Sequence, residues 1–196
     1  TLKAEAVKPL RITNKKLQYK VVFDLVDFMV VYNMKTLDKA YLKYSFFAGT
    51  SFYTDTSAKG SADKIRKKKY LGSPVHFMKT MAANSWQKEK FQLYVDRWPD
   101  NPNKYFKISD SLTFKKITLV DVPANIKNMK FSGFEKEPLM NKKTNSVNPT
   151  YAKMSRFSVL YDKDKQSGFS WNNGCFYIDE NGLCLPLMSV VFGGYF

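Results

Sequence analysis

The chain predicts a mainly β fold: a single antiparallel sandwich or barrel, with one or two short helices. Three observations carry this. Residues 17–23 (LQYKVVF) alternate Leu17, Tyr19, Val21 and Phe23, the period of a half-buried strand. From WPDNPN (98–103) onward, short β-rich runs recur about every 10 residues with turn chemistry between them. At 196 residues, 44% of them hydrophobic and 16% aromatic, the chain is long and apolar enough to bury a core.

In chain order, residues 1–16 form a basic N-terminal arm or first strand, followed by the strand at 17–23. FMVVYNM (28–34) keeps the β character with valines and aromatics. TLDKAYLKYSFF (36–47) reads as a helix, because Leu37, Ala40, Tyr41 and Tyr44 fall on one face, although its aromatics suit a strand equally. Residues 54–72 read as an exposed basic loop: small polar residues, then a block of cations. Residues 75–98 hold the best helix candidate, with Phe77, Met81 and Ala82 on one face, and KFQLYVDRW at its end alternates like a strand. Beyond it come KYFKISDSLTF, KKITLVDV, NMKFSGF, RFSVLYD, CFYID and LCLPLMSVVF as strands, with 141–150 as a second exposed loop. Neither a repeat nor a linker divides the chain, so one domain over 1–196 is expected.

The net charge of +15 selects the partner class, since so strong a field favours a polyanion. Residues 1–72 carry 15 cations and 6 anions, while no Lys or Arg follows Lys165. There are 28 Lys and only 4 Arg, a balance suited to sequence-independent attraction to phosphate rather than to base readout. The densest run is SADKIRKKKYLGSP (61–74), where Lys64, Arg66, Lys67, Lys68 and Lys69 precede Tyr70. Six consecutive positions cannot share one face of any element, so most of these heads reach solvent, where a like-charged block is self-repelling without an anion. With the pairs Lys15/Lys16, Lys115/Lys116 and Lys142/Lys143, these residues form the predicted nucleic-acid-binding set, Tyr70 being placed to stack on a base.

Catalysis and metal binding are not predicted, and no cofactor is. His76 is the lone histidine, Cys175 and Cys184 with it make no zinc spacing, and no Asp or Glu is followed two residues later by Lys. Glu135/Glu137 and Asp162/Asp164 sit among lysines as solvated turn charges. An Asn181-Gly182 hairpin would pair Asp179 with Cys184 and Glu180 with Leu183 and set Cys175 opposite Met188, so the cysteines read as buried free thiols of a reducing compartment. The longest apolar stretch, 21–32, is too short to span a bilayer and carries Asp24 and Asp27.

The final residues, 183–196, are uncharged, and both faces of the strand they predict are mostly apolar. Pro186 places it at a sheet edge, and Leu187, Met188, Val190 and Phe192 form the predicted subunit interface.

NKYFKISDSLTF (103–114) resembles a strand–turn–strand of the single jelly-roll coat proteins of satellite viruses and small circular single-stranded DNA viruses. The resemblance implies a jelly roll that self-assembles and binds genome through basic residues, inside a virion or a host cell. The alternatives are a phage or plasmid single-strand-binding module, and an accessory protein of a ribonucleoprotein or secretion assembly.

Overall fold

The computed structural model describes residues 1–129, 137–186 and 189–194. The fold is mainly β, with antiparallel sheets and short helices. It falls into two compact units, Thr1–Lys68 and Lys69–Phe196, where the sequence reading has one domain. The boundary runs through a helix, so no Pro-, Gly- or Ser-rich linker marks it.

The first unit is one sheet of β1 (Leu2–Lys3), β2 (Leu10–Asn14), β3 (Tyr19–Tyr32) and β4 (Leu42–Asp55). β3 is its spine. β4 pairs along one edge of it, and β1 and β2 share the other, opposite Met29–Val30 and Tyr19–Phe23. The basic arm is therefore strand over Leu10–Asn14. The predicted helix at 36–47 is reduced to a 3-10 turn, Lys39–Tyr41, capped by the Asp38 carboxylate. Its aromatics go to β4, where Tyr44, Phe46 and Phe47 pair with Val31, Met29 and Phe28. Gly49 is required there, because the Phe23 ring lies 2.6 Å from where its Cβ would stand. A four-residue helical face lost to cross-strand pairing of large aromatics.

The run predicted as an exposed loop at 54–72 contains α1 (Asp63–Tyr70). Its lysines and arginine are good helix formers, and Asp63 in the first turn complements the helix dipole. Like charges at Lys64 and Lys68 oppose the helix, and hydrogen bonds from Arg66, described below, offset that repulsion.

The second unit is a β-sandwich. Its helix α2 (Pro74–Ala82) starts where the Ser73 side chain accepts the His76 N–H and Pro74 takes the first position. β5 (Phe91–Val95) and β6 (Trp98–Asp100) join through Asp96-Arg97, both at positive φ as a type I′ turn demands. β7 (Phe106–Ser111) and β8 (Phe114–Leu119) follow, so residues 103–114 do form strand, turn and strand. After α3 (Ala124–Lys127), the expected strand NMKFSGF falls mostly outside the described residues. β9 (Met140–Asn141) and β10 (Ser146–Val147) pair around the exposed turn 142–145, and α4 (Pro149–Met154) completes the segment predicted as loop.

β11 (Arg156–Tyr161) and β12 (Lys165–Trp171) form the next hairpin, then β13 (Cys175–Ile178), β14 (Cys184–Leu185) and β15 (Val190–Gly194). One sheet runs β15-β12-β11-β5-β6 and the other β14-β13-β8-β7. Aromatics from both meet between them: Phe106 of one sheet lies 5.0 Å from Phe157 and 5.3 Å from Trp171 of the other. Phe77 of α2 closes the core against Trp86, Phe91 and Phe169.

Candidate nucleic-acid interface

Arg66 organises the strongest cationic cluster by not being available itself. Its Nη1 and Nη2 donate to the two carboxylate oxygens of Asp55 at 2.6 and 2.7 Å. Its Nε donates to Leu17 O at 2.9 Å and Nη2 to Gln18 O at 3.0 Å. The guanidinium lies 3.8 Å from the centre of the Tyr19 ring. Hydrogen bonding to Arg66 holds the Asp55 carboxyl well below the usual carboxylate range, and the same bond raises the arginine. Arg66 is thus a clamp, and its expected role as a phosphate ligand does not fit its surroundings: four of its five N–H donors are given to protein oxygen.

The clamp joins α1 to the β2–β3 turn. In that turn Asn14 Oδ1 accepts the Leu17 N–H at 2.9 Å, and Gln18 O takes a second bond from the Thr56 N–H. Lys15 and Lys16 stand exposed on the same turn. On α1, Lys64, Lys67 and Lys68 are spaced i, i+3, i+4 and share one exposed face. Among the described residues none of these five lysines makes an ion pair. Two segments bearing lysines nearly fifty residues apart in the chain are therefore tied together, within a unit carrying 14 cations against 6 anions.

The remaining predicted contacts lie elsewhere. Lys69 is exposed at the last turn of α1. Lys142 and Lys143 are exposed on the β9–β10 turn. Lys115 is bound to Asp110, and Lys116 is half-buried on β8 opposite Tyr177. Tyr70 is exposed, with its ring 4.9 Å from His76.

His76 is a buried latch. Its Nδ1 accepts the Gly72 N–H at 3.0 Å, which leaves Nε2 to donate to Glu89 Oε2 at 3.1 Å. Phe91 and Tyr161 pack against the ring. Burial, with the Glu89 charge second, pushes up the Tyr70 hydroxyl, and burial pushes up that of Tyr161. Both ring nitrogens are engaged within the protein, an arrangement that orients chain and offers no free base.

The predicted single C-terminal strand is corrected. Residues 183–196 are not one strand: β14 pairs with β13 in one sheet and β15 with β12 in the other. Pro186, lacking an N–H, falls in the break. Val190 and Phe192 pack on the core, leaving Val191 as the outward side chain, 45% exposed. Leu187 and Met188 lie outside the described residues. The β13–β14 register also differs by one residue, with Ile178 opposite Cys184. The Asp179 carboxylate accepts the N–H groups of Asn181 and Leu183 at 2.9 and 2.7 Å, which makes a longer loop than an Asn-Gly pair.

Cys175 and Cys184 are free and half-buried. Burial raises the Cys184 thiol to about 11. Among the described residues no helix is long and apolar enough to cross a membrane.

Sequence reasoning missed the Arg66 clamp, and the only signal for it was chemical: one Arg inside a lysine run, within reach of an acid at Asp55. No family model, curated protein or solved structure matches the chain.

Proposed function

We propose that the chain is a structural, nucleic-acid-associated subunit of the coat or nucleoprotein kind. It self-assembles and holds the phosphate backbone without sequence preference. One observation carries the reading: five exposed lysines that make no ion pair among the described residues stand on two distant segments, α1 and the β2–β3 turn, which Arg66 ties together. Lysine ammonium groups on a prepared surface attract polyanion regardless of sequence, and ordering them beforehand lowers the entropy lost on binding.

The test is binding to unrelated DNA and RNA sequences across salt. Replacing Lys64, Lys67, Lys68 and Lys69 with Ser, and leaving Arg66 in place, flattens the log–log salt slope by roughly 2–4, at about 0.7–0.9 per lost phosphate contact. A slope that does not change makes the run a solvated face with no anionic partner.

A second reading, a single-strand-binding module, is favoured by one specific feature. Phe47 and Tyr53, each 65% exposed, lie on the face of β4 whose partner aromatics are Phe23 and Tyr19. Exposed rings beside lysines offer base-stacking surface worth about 1–3 kcal/mol per base. Under this reading Tyr53→Ala weakens single-stranded DNA about tenfold and leaves duplex binding unchanged. Equal loss on both substrates removes it.

A further inference from the structure

The outer edge of β4 has no ladder partner among the described residues, since β4 pairs with β3 alone. That edge is unusually bare. Over fourteen residues it has no proline and only two charges, Lys43 and Asp55, one near each end. All but Phe46 and Ala48 are exposed, Phe47, Phe52 and Tyr53 by more than 60%. Natural sheets protect such edges with central charges, prolines or very short strands, and β4 uses none of these.

We propose that this edge is a homotypic interface, in which β4 of one copy pairs antiparallel with β4 of a second copy about a two-fold axis at Gly49. The register follows from the strand's own sequence, because two-fold symmetry demands that each residue face a suitable mate at equal distance from the axis. About Gly49, Lys43 faces Asp55 of the other copy at both ends. Phe46 faces Phe52, Tyr44 faces Thr54, Ser45 faces Tyr53, Phe47 faces Ser51 and Ala48 faces Thr50. An aromatic pair forms on each side, and the axis itself is occupied by glycine, where backbones approach without Cβ atoms between them. A shift of one or two residues separates the Phe46–Phe52 pairs and moves Gly49 off the axis. The product is one eight-stranded sheet made of two first units.

This deepens the assembling-subunit reading and rests on it. The experiment is intermolecular cross-linking of the full chain. Ala48→Cys and Thr50→Cys proteins are mixed, oxidised mildly, and the linked peptides identified by mass spectrometry. Sizes are measured by light scattering on the parent and on Thr50→Lys, which brings like charges beside the axis. The expected result is a dominant 48–50 link between chains, a link from Ala48→Cys to Thr54→Cys at least tenfold weaker, and a Thr50→Lys protein folded by circular dichroism at half the parent's mass or less. An assembled parent without the 48–50 link, or with Thr50→Lys still assembled, overturns the β4 interface and leaves the subunit reading in place. A parent monomeric at tens of micromolar overturns both.

Discussion

The two units solve the problem of a β-sheet's faces in opposite ways. The second buries an aromatic layer between two sheets, with Phe77, Phe157, Trp171 and Phe176 at or near zero exposure. The first is a sheet built on two fourteen-residue strands, and in that unit, among the described residues, only Val30 and Ala62 are buried. One unit carries its stability inside itself. The other leaves Ile12, Phe47, Phe52 and Tyr53 in water, and apolar area left open on a long sheet is surface for a partner. A single polypeptide thus joins a unit with an aromatic core to one whose large apolar side chains stay exposed.

The sharpest way to break that contrast is to remove a ring from each unit. Trp171→Ala opens a cavity at the centre of the sandwich and costs about 3–5 kcal/mol in denaturant unfolding. Phe52→Ala in the dilute, unassembled chain stays within about 0.5 kcal/mol. A loss at Phe52 as large as that at Trp171 would mean the first unit owns a core, and the contrast fails.

A smaller effect isolates what orders the first unit in place of a core. The Asp55 carboxyl sits below its ordinary value of 3.8 in the folded protein, so its ion pair stabilises fully above that value and is lost only as pH falls beneath it. The Arg66 Nε–H resonance is therefore expected to stay protected at pH 5 and disappear at more acid pH, together with the helicity of α1. Arg66→Lys keeps the charge but loses the fork, and the same melting is then present at neutral pH. A helix indifferent to both changes would assign its order to something other than the clamp.

The smallest effect is chemical. With its thiol raised to about 11 from an ordinary 9.0, Cys184 reacts with iodoacetamide at pH 8 about a hundredfold more slowly than an unstructured cysteine. Reaction at the unstructured rate would show that the Cys184 edge of the sandwich opens freely.

Much of the sandwich was legible in the sequence because its signals are local. Alternation in RFSVLYD needed no distant partner to be read, whereas the turn expected at WPDNPN falls earlier, at Asp96-Arg97 inside KFQLYVDRW, and Trp98–Asp100 is strand. What escaped depended on contacts across the chain. Like-charge repulsion argued for a loop at Lys64–Lys69, and a helix formed because Leu17, Gln18 and Asp55 supply acceptors to Arg66. The Asn-Gly pair argued for a tight hairpin, and the Asp179 side chain captured two N–H groups to lengthen it. The apolar tail read as one two-faced strand because periodicity cannot reveal that residues on either side of Pro186 join different sheets. The lysines stood out by composition, but the tie between α1 and the β2–β3 turn that carry them is made by one side chain.

That side chain has a consequence for the lifetime of the protein. The stretch from Lys64 to Lys69 offers a trypsin-like protease five bonds in six residues. Such enzymes take their substrate extended, and a helical turn cannot be seated in that form until it unwinds. While Arg66 grips the hairpin, the most cleavable segment of the chain is closed to proteolysis, and the rate of nicking there is set by how often one guanidinium lets go.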